Sequence, residues 1–380
     1  MRSFGLVVIQ LAINFGICTA QTLEWAVPIG GKSNESSVHT ATDGDGNVVS
    51  SGTFSLAIDF DPGPGEFVIS SAAGNDVFVQ KLDAAGNFLW AISFASVNFL
   101  STSDIEVDSA GDIVVFGQFK GTVDFDPSTN QLLKTAQGGT DLFIVKLSPM
   151  GQVLWVKTIG SDSEDYGSGI EAASNNDIVI CGSYAGKIDF DPGQDSIWAI
   201  SNGGRDIFVI KLTSQGDFVW GNSFGDSGEY HQEFPTALAL GPLGDIIMTG
   251  SYEGFIDFGS GLDTVVINSP DTMSMFIVKM SSVGEALWAK SIAGYEGNRI
   301  RGIASNSQGD IIFTGWFLDS VDFDPGPTEN YVVNQDRTDM FITTWDSMGN
   351  FRWTQNLGAQ TFASGESVVV NANDDIFVNS

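Results

Sequence analysis

Residues 76–94 read Asp-Val-Phe-Val-Gln-Lys-Leu-Asp-Ala-Ala-Gly-Asn-Phe-Leu-Trp-Ala-Ile-Ser-Phe, and this stretch decides the fold. Two apolar runs flank Asp83-Ala84-Ala85-Gly86-Asn87, whose residues suit the positive φ angles of a tight turn, so we predict a β-hairpin. A tryptophan in a similar context recurs at spacings of 65, 65, 65, 68 and 65 residues. A fixed period of this length predicts a repeat architecture, in which we interpret these residues as structural. They are Trp25, Trp90, Trp155, Trp220, Trp288 and Trp353.

Each repeat of about 65 residues predicts four strands, which in the first repeat are 38–42, 48–54, 77–82 and 88–94. An extra hairpin with a Pro-Gly turn is predicted between the second and third strands. Strands such as 142–145 are apolar without alternation, which indicates sheets covered on both faces. No segment outside the N-terminus shows a helical period. We therefore predict an all-β protein, a β-propeller of four-stranded antiparallel blades; tandem immunoglobulin-like sandwiches are the alternative, although 65 residues are few for seven strands.

The two ends of the chain predict different things. Residues 1–20 combine Arg2, an apolar run and Cys18-Thr19-Ala20, which is typical of a secretory signal peptide. Residues 21–380 then form one repeat domain. The strand at Trp25 has the context of a fourth strand, and residues 366–371 and 376–379 that of a first and a second strand. We expect about six blades, the last one shared between the termini and incomplete.

Several motifs resemble a known family. Gly46-Asn47-Val48-Val49, residues 76–82 and Gly86-Asn87-Phe88-Leu89-Trp90 are similar to the bacterial β-propeller repeat called SBBP. The Asp-Phe-Asp-Pro-Gly insert resembles the variant found in secreted surface proteins of Bacteroidota. The resemblance covers essentially all of residues 21–380 and implies a secreted or surface-displayed propeller, usually of unassigned function. A C-terminal sorting domain, which such proteins often carry, is not evident, so the secretion route stays open.

Charge and composition exclude several functions. The 380 residues contain 16 Lys and Arg against 47 Asp and Glu, a formal charge of −31, which excludes nucleic acid and anionic membranes as partners. No stretch is apolar enough to predict a transmembrane helix. With two histidines and no nucleophile elbow, HExxH or P-loop, we expect no enzyme. Cys181 is the single cysteine after the signal, so no internal disulfide is expected.

Repeated charged residues have two interpretations. In Asp-x-Asp pairs, the two carboxylates share one face of a strand and are candidate calcium ligands; the alternative is that each caps its own turn. No other cofactor is expected. Lysines recur in the apolar third strand at Lys81, Lys146, Lys211 and Lys279, and we expect each to pair with an acid, such as an Asp of the insert. The acidic pairs are Asp59 with Asp61, Asp124 with Asp126, Asp189 with Asp191, and Asp322 with Asp324.

The connections from each fourth strand to the next first strand are the most variable segments and form the candidate ligand surface, with Tyr166, Tyr230, His231 and Tyr295 as candidate contacts. Solvated connections are the alternative. We predict a secreted or cell-surface, non-catalytic binding or adhesion protein for a glycan or a protein, expected to be a monomer. The alternatives are an extracellular enzyme of polysaccharide metabolism that uses a propeller face, and a purely structural repeat module.

Overall fold

The computed structural model describes residues 11–12, 25–28, 30–31, 35–71, 74–128, 130–228, 233–259, 264–294, 297–334, 338–358 and 363–379. All regular structure in these residues is β-strand, which confirms the all-β prediction. Five antiparallel four-stranded sheets, numbered blades 1 to 5, each pair their strands in chain order. The strands are Glu35–Thr42, Val48–Phe54, Asp76–Leu82 and Phe88–Phe94 in blade 1; Leu100–Val107, Ile113–Phe119, Asp141–Leu147 and Val153–Ile159 in blade 2; Tyr166–Ala172, Ile178–Tyr184, Asp206–Leu212 and Phe218–Phe224 in blade 3; Phe234–Leu240, Ile246–Asp257, Val266–Met280 and Ala286–Ile292 in blade 4; and Arg299–Ser305, Ile311–Phe317, Asp339–Trp345 and Phe351–Leu357 in blade 5.

The blades are arranged as in a β-propeller. The first strand of each blade packs beside the first strand of the next, from blade 1 through blade 5. The first strands therefore line the central channel and the fourth strands lie at the rim. Among the described residues, no helix is long and apolar enough to cross a membrane.

The hydrophobic core lies between blades. One cluster joins Val79 of blade 1 to Val115 and Phe143 of blade 2, and another joins Val209 of blade 3 to Met248 of blade 4. Both faces of the middle strands are buried in this way, which explains why their sequences do not alternate between apolar and polar residues.

A glycine recurs in the second strand because its neighbours approach closely. At Gly117 a Cβ atom would collide with the carbonyl oxygen of Ser101 and would lie 2.7 Å from the ring of Phe143. The pairing with the first strand shifts register at this point, which brings that carbonyl inward. The same collision would occur at Gly182, Gly250 and Gly315.

The predicted extra hairpin is present. In blade 4 it continues the second and third strands, and in the other blades it is a separate two-stranded unit anchored by buried side chains such as Ile58 and Phe60. The separate hairpins pair Ala57–Asp59 with Val68–Ser70, Thr122–Asp124 with Leu133–Thr135, Lys187–Asp189 with Trp198–Ile200, and Ser320–Asp322 with Tyr331–Val333.

The prediction of about six blades is wrong, because the structure has five. Ser367–Val370 and Ile376–Asn379 form the expected pair, but the third strand of their sheet is Leu11–Ala12. Residues 25–28 are not in a strand, so the predicted fourth strand at Trp25 is also wrong. The repeat landmarks identify single strands and turns, whereas a blade requires four paired strands.

Candidate functional site

The recurring tryptophan joins each blade to the next. The indole Nε1 of Trp90 donates to the carbonyl oxygen of Pro149 at 3.1 Å, in the turn between the third and fourth strands of blade 2. A Cβ atom at Gly151 of this turn would lie 3.0 Å from the indole, so only a glycine lets the ring approach. This is the geometry of a packing device. The same bond runs from Trp25 to Ala84 at 2.9 Å, from Trp155 to Ser214 at 3.3 Å and from Trp288 to Ser347 at 3.3 Å, while Trp220 packs on Gly284 and Trp353 belongs to blade 5.

The recurring lysine pairs with an acid, as expected, but the acid is not in the insert. The Nζ atom of Lys146 lies 2.7 Å from Asp108 Oδ2 and 3.4 Å from Asp112 Oδ2, and Asp108 has 1% of its side chain exposed. These acids lie in the turn between the first and second strands, which the antiparallel pairing places beside the lysine. The equivalent distances are 2.8 Å for Lys81 to Asp43, 3.2 Å for Lys211 to Asp177 and 2.8 Å for Lys279 to Asp245.

The Asp-x-Asp pairs organise the inserted loops. In blade 3, Asp189 Oδ1 accepts hydrogen bonds from the backbone N–H groups of Asp191 and Ile197 at 3.1 and 2.7 Å. Blade 4 keeps both bonds at Asp257, although Gly259 replaces the second acid. The first Asp therefore caps the loop without help from the second. Asp59, Asp124 and Asp322 make the same pair of bonds, and Asp61, Asp126, Asp191 and Asp324 each cap a turn two residues further on.

Metal binding at these pairs stays a prediction. Within the described ranges, no three His, Cys, Asp or Glu side chains group in a way that could hold a metal ion. The loop-capping role accounts for the positions of the carboxylates that the structure shows.

The loop-capping role predicts the effect of substitutions at Asp189. Asp189→Ala is expected to lower the free energy of unfolding by about 1–2 kcal/mol, because two backbone donors lose their acceptor. Asp189→Asn keeps an Oδ1 acceptor and should destabilise the protein less. Melting curves with Ca²⁺ and with a chelator should coincide. A calcium-dependent rise in melting temperature that Asp189→Ala abolishes would instead show that these pairs bind calcium.

Tyr166, the described member of the candidate ligand set, is part of a polar and aromatic cluster. Its hydroxyl donates to Glu164 Oε2 at 2.5 Å, and the Arg205 guanidinium lies 4.5 Å from the centre of its ring. Lys120 of blade 2 donates to Glu164 Oε1 at 2.6 Å and, through its backbone N–H, to the carbonyl of Phe99. We call these five residues, Phe99, Lys120, Glu164, Tyr166 and Arg205, the Tyr166 patch.

The Tyr166 patch lies on one face of the propeller. First strands begin, second strands end and third strands begin at this face, and the patch takes residues from each of these positions in blades 2 and 3. Phe99 is 46% exposed, whereas Tyr166 and Arg205 are half-buried. The hydrogen bond to Glu164 raises the pKa of Tyr166, and that of Glu164 is lowered, first of all by the hydrogen bond from Lys120. Tyr230, His231 and Tyr295, the other predicted ligand residues, lie outside the described residues.

A cluster of acids on the first strands was not foreseen as a site. Asp104 Oδ2 of blade 2 accepts a hydrogen bond from the backbone of Ile170 in blade 3, and Asp104 Oδ1 lies 3.9 Å from His39 Nδ1 in blade 1. Glu106 follows Asp104 by two residues, and Glu171 follows Ile170 by one. The acids therefore gather where three neighbouring first strands line the channel.

Confinement in the channel raises the pKa values of these acids. Burial raises the pKa of Asp104 to about 6, and burial together with the charge of Asp104 raises that of Glu106 to about 7. The pKa of Glu171 is raised well above its usual value by burial and then by Glu106 and Asp104. Asp104 keeps 34% of its side chain exposed, so water still reaches the cluster. Positions 39, 104 and 169 are equivalent in the repeat, and comparing them across repeats was the signal that could have revealed the cluster.

Comparisons with known proteins place the chain among propeller repeat proteins without an assigned activity. No family model matches the chain. It is 22% identical to the uncharacterized WD repeat-containing protein L264 of Acanthamoeba polyphaga mimivirus, over 96% of this chain and 36% of that protein. The chain thus spans about a third of this relative. A protein of unknown function from Bacteroides caccae aligns at a TM-score of 0.41 and 12% identity, covering 88% of this chain and 85% of that one.

Proposed function

We propose that this β-propeller is a secreted or cell-surface binding protein, whose Tyr166 patch holds an extracellular glycan or protein. The observation that supports this function is the patch itself. It presents an exposed phenyl ring, a tyrosine held in place by Glu164 and Arg205, and two cations on a chain with a net charge of −31. Aromatic rings and arginine contribute most strongly where proteins bind partners. The SBBP resemblance, with its surface display, is the finer assignment that we propose.

Glycan and protein arrays probed with the purified chain test the proposal. Tyr166→Ala should weaken any interaction at least about tenfold, because the ring and the hydroxyl that fixes Glu164 are both lost. Tyr331→Ala is the matched control, since Tyr331 is 58% exposed on the insert hairpin of blade 5 and should bind as the wild type does. Equal melting temperatures would show that both variants fold. Arrays without any interaction, or binding that Tyr166→Ala leaves intact, would refute the patch as the binding site.

The channel acids support a second candidate, an extracellular enzyme acting on polysaccharides. Carboxyl groups with pKa values of about 6 and about 7, as at Asp104 and Glu106, can both donate and accept protons near neutral pH. Screening the wild type on polysaccharides distinguishes the two functions. An enzyme would lose activity in Glu106→Gln and Glu171→Gln and keep it in Tyr166→Ala. A binding protein would show no turnover and would keep its affinity in both Gln variants.

A further inference from the structure

The last two strands present an edge that accepts an extended segment. Ile376–Asn379 pairs on one side with Ser367–Val370, as a second strand pairs with a first. In blades 1 to 5 the other side of the second strand carries a full third strand. Within the described residues, this side of Ile376–Asn379 carries the two residues Leu11–Ala12, whose partners are Val378 and Phe377. The edge thus pairs with extended backbone and has room for a longer segment.

A groove of about 430 Å³ lies beside this edge, between the last two strands and blade 5. Trp353 lines it at the position where Trp288, one blade earlier, donates to the carbonyl of Ser347 in the turn after a third strand. The groove therefore has the shape of the space that a third strand and its turn fill between complete blades. Its lining combines apolar and charged side chains, contributed by Ile312, Trp353, Ile376, Asp310, Arg352 and Asp374.

The complete blades specify the chemistry of a segment that fits. In blade 2 the third strand is Asp-Leu-Phe-Ile-Val-Lys-Leu, residues 141–147. Its Phe143 packs toward the preceding blade, in the cluster that contains Val77 and Val79. The corresponding positions of blade 5 are Met340 and Ile342, which cluster with Val378.

The charged position of such a segment is also matched. Lys146 of blade 2 lies 3.4 Å from Asp112, and Asp375 occupies the equivalent repeat position beside the open edge. A lysine at the sixth position of the segment would approach Asp375, as Lys146 approaches Asp112. This places one apolar and one electrostatic requirement on the same segment.

We propose that the edge Ile376–Asn379 and the groove at Trp353 form a docking site for an extended strand of a partner polypeptide. The strand carries the pattern Asp-apolar-Phe-apolar-x-Lys-apolar, followed by a turn, and pairs antiparallel to Ile376–Asn379. A second copy of this chain does not offer such a strand, because each third strand in its five blades is held between its own neighbours. Removal of residues 1–20 takes away Leu11–Ala12 and makes the edge fully accessible.

The binding of a labelled peptide with the sequence of residues 141–151 tests the proposal. Fluorescence anisotropy is measured with the full chain and with the chain that starts at Gln21. We expect saturable binding, tighter to the chain from Gln21, where Leu11–Ala12 does not compete. Peptides with Phe143→Asp or Lys146→Glu should each bind at least about tenfold more weakly, since each removes one matched contact.

Variants of the chain locate the site. Trp353→Ala and the milder Trp353→Phe should weaken peptide binding at least about tenfold and about threefold, because the peptide's turn packs on the indole. Trp198→Ala, at a 54% exposed tryptophan on the insert hairpin of blade 3, should leave binding unchanged. The proposal is overturned if neither chain binds the peptide, if the substituted peptides bind equally well, or if folded Trp353 variants bind as the wild type does.

Discussion

Lys146→Met is expected to lower the free energy of unfolding by about 3–5 kcal/mol, because it leaves a buried carboxylate without its partner. The Lys146 and Asp108 side chains are 4% and 1% exposed, so water does not replace the lost ion pair. Methionine fills nearly the same volume, and the loss therefore reports on charge more than on packing. Urea unfolding of the wild type and the variant, followed by circular dichroism, measures the difference.

The matched control is the same substitution at an exposed pair. Lys120 and Glu164 are each 42% exposed, and Lys120→Met should change stability by less than about 1 kcal/mol. Adding Asp108→Leu to Lys146→Met should recover part of the loss, since the unpaired charge is removed with its partner. Equal losses in Lys146→Met and Lys120→Met would contradict a stabilising role for the buried pair.

The second large effect is expected at an inter-blade tryptophan. Trp155→Ala should lower the free energy of unfolding by about 3–5 kcal/mol, because it empties the contact between blades 2 and 3. The indole donates to the Ser214 carbonyl at 3.3 Å, and a Cβ atom at Gly216 would lie 3.2 Å from the ring. Lys146 donates to the same carbonyl at 3.3 Å, so the effects of Trp155→Ala and Lys146→Met should not be additive.

Two comparisons make the test at Trp155 specific. Trp155→Phe keeps an aromatic ring but loses the donor, and should destabilise the protein much less than alanine does. Trp198 is exposed and has Lys187 3.8 Å above its ring, so Trp198→Ala should change stability by about 1 kcal/mol at most. If Trp155→Ala and Trp198→Ala were equally mild, the recurring tryptophan would not be the residue that joins the blades.

Local patterns were predictable where neighbouring residues determine them. The predicted strands 48–54 and 88–94 coincide with Val48–Phe54 and Phe88–Phe94, because apolar runs between turn residues determine strands locally. The loop role of Asp189 was likewise one of the two interpretations that the sequence offered. The partners of Tyr166 were not predictable, since Lys120 and Arg205 reach Glu164 across 44 and 41 residues.

The repeat of about 65 residues established from sequence the all-β class, the four strands of a blade, the inserted hairpin and the inter-blade position of the tryptophans. These features follow from short-range patterns that every copy contains. The number of complete blades, the turn acids that meet the lysines, the acids of the channel and the open edge at Ile376–Asn379 depended on the tertiary structure. Each arises where one copy differs from the others or meets a neighbour, and such contacts are determined by how the blades pack around the centre.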